Sequence, residues 1–453
     1  MERKNVWNKY TSSDEIMNFA EGYKDFISKG KTERLAAKIV VDELITLGYK
    51  DIKDVKSLKA GDKIYAINRN KNVLAFVIGK EDITKGMRIL GAHIDSPRLD
   101  FKEKPLYESH GFVYGNTHYY GGIKKYQWVT IPLALHGVVC LKNGTTVKVE
   151  IGEKEDDPVL GISDLLIHLA ADQLQQTLAK GIEGEKLDVT LGSIPLKDEQ
   201  KDAVKANVLR LLKDKYGIVE EDFISSEIEV VPAGKARDYG LDRSMVAGYG
   251  HDDRCCAYSS FKAFIEVNEP VFTTCLALVD KEEIGSVGAT GAQSLFFENT
   301  VLRIVKLLGH NDSFLSTRTA LENSKMLSSD VTAAYDPLFA QVYDLTNVAF
   351  FGEGIVFNKY TGSRGKSGSN DANPEYYAWL RNAMDKEGVI WQSSELGKVD
   401  QGGGGTIAYI LGNYNMDVID AGIPVLNMHA PMEVISKADL YEAYVGYRTF
   451  LLA

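Results

Sequence analysis

Glu282 and Glu283 stand side by side just beyond the apolar run Thr274-Cys275-Leu276-Ala277-Leu278-Val279, within Asp280-Lys281-Glu282-Glu283-Ile284-Gly285. The run has the length and composition of a fully buried strand. Two carboxylates at its end lose hydration and repel each other, so folding is opposed unless a cation or a held proton compensates. An arbitrary Glu-Glu pair is ordinarily a solvated acidic turn. Residues elsewhere in the chain that share the same chemistry lift this pair above that reading.

His93 and Asp95 follow the apolar strand expected over Met87–Ala92. In extended chain, residues two apart face the same side, so one can ligate a metal while the other supports it. Asp252 and Asp253 open a helix after Gly250-His251, where by themselves they read as caps favoured by the helix dipole. Asp330 follows Ser328-Ser329, and His429 closes the apolar stretch Ile423–Met428. Histidines and carboxylates without cysteine suit a hard or borderline divalent ion, with zinc, cobalt and manganese as candidates. There are more candidate ligands than one ion uses. The simplest arrangement is a pair of ions about 3.5–4 Å apart sharing one carboxylate. Of the adjacent glutamates, one can then ligate while its neighbour stays free as a general base.

These residues need elements to position them. Helical spacing of Ile16, Phe19, Tyr23, Phe26 and Ile27, and of Ala36, Ile39, Val40, Leu44 and Leu47, predicts two helices between residues 12 and 48. Lys63–Ile67 and Val73–Ile78 read as a hairpin. From about residue 101 to 240 the composition shifts to Gly, Tyr and β-branched residues. Strands are expected there at 127–135, 137–141, 145–150 and 227–232, with helices at 164–179 and 203–216. The expected division is a catalytic α/β domain, 1–100 and 241–453, interrupted by an inserted β-rich domain at 101–240. A helix is expected to start near Ala289, and another from Lys437 closes the chain. The glycine run Gly402–Gly405 resembles a phosphate loop, but no Lys follows where a nucleotide site needs one.

Composition narrows the classes further. A chain of 453 residues, 44% apolar and 25% charged, describes a globular protein of more than one domain. A net charge of −11 with no Lys/Arg block argues against nucleic acid as a partner. The N-terminal sequence has no apolar leader, and no apolar run is long enough to span a bilayer. Four scattered cysteines suit buried thiols rather than a disulfide framework. A cytoplasmic protein without nucleic-acid or membrane partners is the expectation.

Five motifs in order give a specific resemblance: Gly91-Ala92-His93-Ile94-Asp95-Ser96-Pro97, His251-Asp252-Asp253, Asp280-Lys281-Glu282-Glu283-Ile284-Gly285, Ser329-Asp330 and Met428-His429. Over nearly its whole length the chain resembles the aspartyl and vacuolar aminopeptidase family of dinuclear zinc exopeptidases. The resemblance implies a mixed-sheet α/β catalytic domain carrying a β-rich insert used in assembly, usually into a homododecamer. It implies two divalent ions per subunit, zinc before cobalt or manganese. His93 and Asp330 would hold one, Glu283 and His429 the other, and Asp252 would bridge. Glu282 would be the general base and acid of an activated-water mechanism on peptide substrates, with Asp95 behind His93.

His168, otherwise an ordinary interior histidine among leucines, would be the insert residue that reaches a neighbouring subunit's site. The acidic-specific members place a lysine near the pocket for the substrate's first side chain. Here Asn358–Lys366 departs from that pattern, as does Tyr119–Lys125, so Lys359 and Lys366 are the candidates and the preference, acidic or neutral/apolar, stays open. A related amidase, such as a deacylase or carboxypeptidase, would share the ligands. A scaffold with a relic metal site would not need an intact Glu282.

Overall fold

A computed structural model describes residues 3–362 and 367–453. The chain forms two compact units. The first comprises the chain up to Asp95, Ala236–Met428 and Glu433–Ala453; the second comprises Ser96–Lys235 and His429–Met432.

The first unit is built on a nine-stranded mixed sheet. Its order is Lys50–Asp51, Lys63–Asn68, Asn72–Val77, Thr273–Val279, Met87–His93, Lys325–Ser328, Asp417–Gly422, Ile355–Asn358 and Trp391–Ser393. The hairpin read from residues 63–78 pairs Lys63–Asn68 with Asn72–Val77. At the centre, Met87–His93 lies between Thr273–Val279 and Lys325–Ser328, parallel to both. Both faces of these strands are covered, which is why they read as unbroken apolar runs rather than alternating ones. Leu276, Leu278, Leu90, Ala92 and Leu327 pack on one side. Cys275, Ala277, Val279, Ile89 and Met326 pack on the other.

The first face is covered by helices Asp14–Lys29, Glu33–Thr46, His251–Ile265, Pro374–Lys386 and Lys437–Leu452. The second is covered by Phe296–Leu307, Ser313–Glu322 and Ala408–Gly412. A five-stranded sheet, ordered Arg237–Tyr239, Met245–Gly248, Glu433–Ser436, Pro424–Leu426 and Thr332–Ala333, completes this unit. No helix among the described residues is long and apolar enough to cross a membrane.

The second unit is a six-stranded antiparallel sheet ordered Thr146–Ile151, Leu133–Cys140, Ser226–Pro232, Arg98–Ser109, Phe112–Tyr120 and Val189–Gly192. Helix Ala203–Tyr216 accompanies it. Two local expectations fail here. The strand expected from residue 127 starts at Leu133, because a short 3-10 turn at Lys125–Gln127 and a left-handed Thr130 precede it. The helix expected over 164–179 breaks into 3-10 turns at Ile167–Leu169 and Gln173–Gln175 and a single helical turn at Leu178–Gly181. Its apolar residues share no buried face: Leu166, Ile167, Leu169, Leu174 and Leu178 are each more than half exposed. Without a face to bury, a helix of this length lacks the packing that stabilises it.

The last helix also anchors a loop of the first unit. Asp439 is fully buried and accepts the backbone N–H groups of Gly352 and Gly354, each at 2.8 Å. Asp439→Ala leaves both donors unpaired in the interior, at a cost of about 1–3 kcal/mol or more. A lowered urea midpoint with an unchanged m-value is the expected result, with a smaller drop for Asp439→Asn, which keeps one acceptor oxygen.

Candidate active site

The three central parallel strands end together. Val279 pairs with His93 and Ser328 with Gly91, so the segments that follow all emerge at the carboxyl edge of the sheet. In open α/β sheets this is the edge where ligands bind. Backbone bonds lock the exits in place, with Ile94 N–H donating to Val279 O at 2.9 Å and Ser329 N–H to Gly91 O at 2.6 Å. A Cβ on Gly422 would lie 1.6 Å from the Asp330 carbonyl oxygen, so the Asp330 turn can rest on that strand only because glycine is there.

Around this edge the first unit gathers His93, Asp95, Asp252, Asp253, Glu282, Glu283 and Asp330. His93 is 2% exposed. Its Nε2 lies 3.1 Å from Asp252 Oδ1 and 3.8 Å from Asp330 Oδ1. Its Nδ1 lies 3.0 Å from the Asp95 carbonyl oxygen and 3.4 Å from Asp95 Oδ1. Asp95 is fully buried, and its two carboxylate oxygens accept the N–H groups of Glu282 and Glu283, each at 3.2 Å. One carboxylate therefore orients the imidazole and fixes the backbone of the glutamate pair.

Donor atoms of His93, Asp253 and Asp330 lie within 4.8 Å of one another, and so do those of His93, Glu282 and Glu283. Such oxygen and nitrogen donors fit a divalent ion, and the buried, unpartnered oxygens of Asp253 fit one independently. Asp252 and Asp253 are not the helix caps their position suggests. The peptide between them is cis, Asp252 faces His93, and its own N–H donates to Glu433 Oε2 at 3.1 Å.

The family model described as aminopeptidase I zinc metalloprotease (M18) matches residues 26–451. This chain belongs to the M18 aminopeptidase family. It is 58% identical to a probable M18 family aminopeptidase 1 of Clostridium acetobutylicum, over 99% of this chain and 98% of that one. The crystal structure of an M18 aminopeptidase from Thermotoga maritima superposes with a TM-score of 0.97 at 46% identity, covering 100% of this chain and 99% of that one. More distantly, the mApe1 dodecamer of S. cerevisiae matches with a TM-score of 0.76 at 22% identity, covering 95% and 97%, a likeness of fold. The chain is thus an M18 aminopeptidase, a hydrolase of a zinc metalloprotease family, with a mixed α/β fold of several sheets.

The electrostatics of this candidate site follow from burial and like charge. Burial disfavours the His93 imidazolium, but hydrogen bonds to Asp252, Asp330 and Asp95 outweigh it and hold its pKa well above the usual value. Burial pushes the Glu282 carboxyl up to about 8, with Asp330, Asp95 and Asp252 adding to the rise and His93 opposing it. Burial likewise raises Asp420, behind Asp330, to about 7; Ser328 Oγ donates to it at 3.0 Å. His251, within the same sequence motif as Asp252, has another role. Its Nε2–H donates to Val246 O at 3.1 Å while Nδ1 accepts from Tyr23 Oη at 2.5 Å, and burial lowers its pKa to about 3. It is a neutral structural imidazole.

The remaining predicted residues stand on other segments of the chain. His429, at φ +66°, belongs to the short return His429–Met432 of the second unit, with its Nδ1 2.8 Å from the Gly122 carbonyl oxygen. His168 is exposed on the 3-10 turn Ile167–Leu169, so it is not the interior histidine that its neighbours suggest. Lys359 pairs with the Asp371 carboxylate and lies 4.1 Å from the centre of the Tyr360 ring. Lys366 falls outside the described residues. The helix expected at Ala289 begins at Phe296 instead, after tight turns at Gly285 and Gly288 and a short 3-10 turn at Glu282–Ile284. Glu433 is a neighbour of the site that the sequence motifs do not include. Its signal is a single carboxylate within the apolar strand Glu433–Ser436, 1% exposed.

Glu282 makes the metal-free protein pH-sensitive. Its folded pKa of about 8 lies above the ordinary 4.5, so the folded chain binds the proton more tightly and stability falls as pH rises between those values. In chelator, urea midpoints should decline from about pH 5 to about pH 8. The decline should be shallower in Glu282→Gln; an identical slope would remove Glu282 as its source.

Proposed function

We propose that this aminopeptidase hydrolyses the first peptide bond of its substrates with two divalent ions per subunit, zinc before cobalt or manganese. His93 and Asp330 hold one ion, Glu283 and His429 the other, and Asp252 is shared. The observation that carries this reading is the buried imidazole of His93, faced by Asp252 at 3.1 Å and Asp330 at 3.8 Å, with Glu282 held nearby through Asp95. When bound, such ions polarise the scissile carbonyl and bring the pKa of water toward neutrality.

The chain's own contribution is proton handling and placement. The Glu282 carboxylate takes a proton from the attacking water as the new C–O bond forms, then delivers it to the leaving amine nitrogen as the C–N bond breaks. Asp95 positions it by holding the N–H groups of Glu282 and Glu283. The free α-amino group of the substrate meets the acidic surroundings, which limits cleavage to one residue at a time.

Neutral or apolar first residues are the proposed preference. Lys359 is already engaged by Asp371, which leaves it poorly placed to receive an acidic side chain. Assembly is proposed to run through the second unit into a homododecamer of the kind seen for yeast mApe1. The exposed apolar residues Leu166, Ile167 and Leu169 flank His168 there, and in the assembly His168 would reach a neighbouring subunit's site.

Exhaustive chelation should abolish turnover, and zinc, cobalt or manganese should restore it. Glu282→Gln should keep its metals yet lose turnover by about 100-fold or more; near-normal rates would take Glu282 out of the proton path. On a panel of aminoacyl anilides, leucyl or alanyl substrates should exceed aspartyl and glutamyl ones, and N-acyl amino acids should be inert. The reverse order would reinstate an acidic pocket. His168→Phe should lower kcat in the assembled enzyme with both ions retained, whereas unchanged kinetics would leave His168 an ordinary surface residue.

A further inference from the structure

The nine-stranded sheet ends in two unlike edges. On one side is Lys50–Asp51, short and charged, the kind of edge that discourages pairing with another chain. On the other is Trp391–Ser393, and the stretch Val389-Ile390-Trp391-Gln392-Ser393-Ser394 holds neither charge nor proline. Its inner side is paired in parallel with Ile355–Asn358. The Ile355 N–H donates to Ile390 O at 3.3 Å, and the Ser394 N–H to Phe357 O at 3.2 Å. Alternation along an extended chain then turns the Gln392 N–H and C=O inward and those of Trp391 and Ser393 outward. Among the described residues no strand pairs with that outer side.

The open edge runs through a groove of about 460 Å³ with a wall on either face. On one face the Gln392 side chain accepts the Phe350 N–H and donates to the Phe350 carbonyl, each at 2.9 Å. On the other the Trp391 indole N–H donates to Asp385 at 2.8 Å, on the helix that also carries Arg381. Both acids that line the groove are engaged, Asp385 by Trp391 and Glu353 by Arg3 at 2.7 Å. Lys4 and Arg381 have no ion pair among the described residues; the Arg381 guanidinium lies 5.5 Å from the centre of the Trp391 ring. Unused main-chain groups, an aromatic lining and surplus positive charge therefore meet in one place.

We propose that this groove docks an extended, acidic segment of another polypeptide, which adds to the sheet as a further strand beside Trp391–Ser393. Main-chain bonds to Trp391 and Ser393 supply the affinity, and Lys4 and Arg381 select carboxylates. The site is independent of the ions proposed above.

The test uses full-length protein and a short fluorescent peptide alternating Glu with Val and Thr, N-acetylated so that an aminopeptidase has no free terminus to cleave. Its anisotropy should rise saturably, and a peptide with Lys in place of Glu should not bind. Arg381→Glu should weaken binding about 10-fold, because attraction at the rim becomes repulsion. Turnover and melting temperature should stay at wild-type values. The same peptide with its backbone nitrogens methylated keeps its charge but cannot donate, so it should not bind. Ser393→Pro, which removes one outward N–H, should weaken the unmethylated peptide too; the methylated peptide reads the same bonds without altering the protein.

No saturable binding of the acidic peptide would overturn the proposal, as would equal binding of its methylated form or by Arg381→Glu. Slow hydrogen exchange at the Trp391 and Ser393 amides before any peptide is added would overturn it as well, since the edge would then be covered already by another copy.

Discussion

Burial of like charge is the constraint on which the first unit depends. Asp95, Asp252, Asp253, Glu282, Glu283 and Asp330 converge at one sheet edge, and the His93 imidazole faces them there. Carboxylates so placed repel one another and lose hydration, and one imidazolium does not balance them. The consequences are visible in the groups themselves, since Glu282 is pushed up to about 8 and His93 is held well above the ordinary histidine value. A protein that keeps such an edge needs positive charge delivered to it. Membership of a zinc metalloprotease family supplies the reason.

Holding that edge open requires a scaffold that does not relax. The central parallel strands are covered on both faces, and the turns leaving them are fixed by main-chain bonds and by the Asp95 carboxylate. The Glu282–Glu283 turn carries a left-handed Lys281 before it and a left-handed Gly285 after it, while Asp95 holds its N–H groups from beneath. Turning the backbone of either glutamate away would break its bond to the fully buried Asp95 carboxylate, where a lost partner is costly. Repulsion between the acids is thus resisted by backbone geometry, and the site is preorganised before anything binds.

Much of this was legible in the sequence, for a physical reason. Strands buried on both faces write themselves as apolar runs, and a charged residue just past the end of one cannot be accidental in several places at once. That logic led to His93, Asp95, Glu282, Glu283 and His429, while Asp330 is read from a loop, and the order of the motifs pointed to the family. It could not reach interactions that depend on which strands become neighbours. Glu433 reads as an odd carboxylate in a strand until Met245–Gly248 pairs beside it and Asp252 is delivered to its Oε2. The broken helix over 164–179 misleads for the converse reason. Its leucines have helical spacing, but spacing records only that a face exists, not that the subunit has anything to cover it with.

Two buried histidines show how far environment, rather than residue type, decides function. His93 and His251 are both nearly inaccessible, at 2% and 0% exposure, and both belong to the motifs that carry the family resemblance. His251 meets a carbonyl and a tyrosine hydroxyl, neutral partners that satisfy one donor and one acceptor, and burial then drives it toward the uncharged form at any ordinary pH. His93 meets carboxylates at both ring nitrogens, so a positive charge at its position is favoured in spite of burial. A site that attracts a proton so strongly to Nε2 attracts any cation able to replace it, and a divalent ion that also draws on Asp252 and Asp330 offers more charge than the proton does. The same carboxylates that shift the histidine are therefore what suit it to a metal ion.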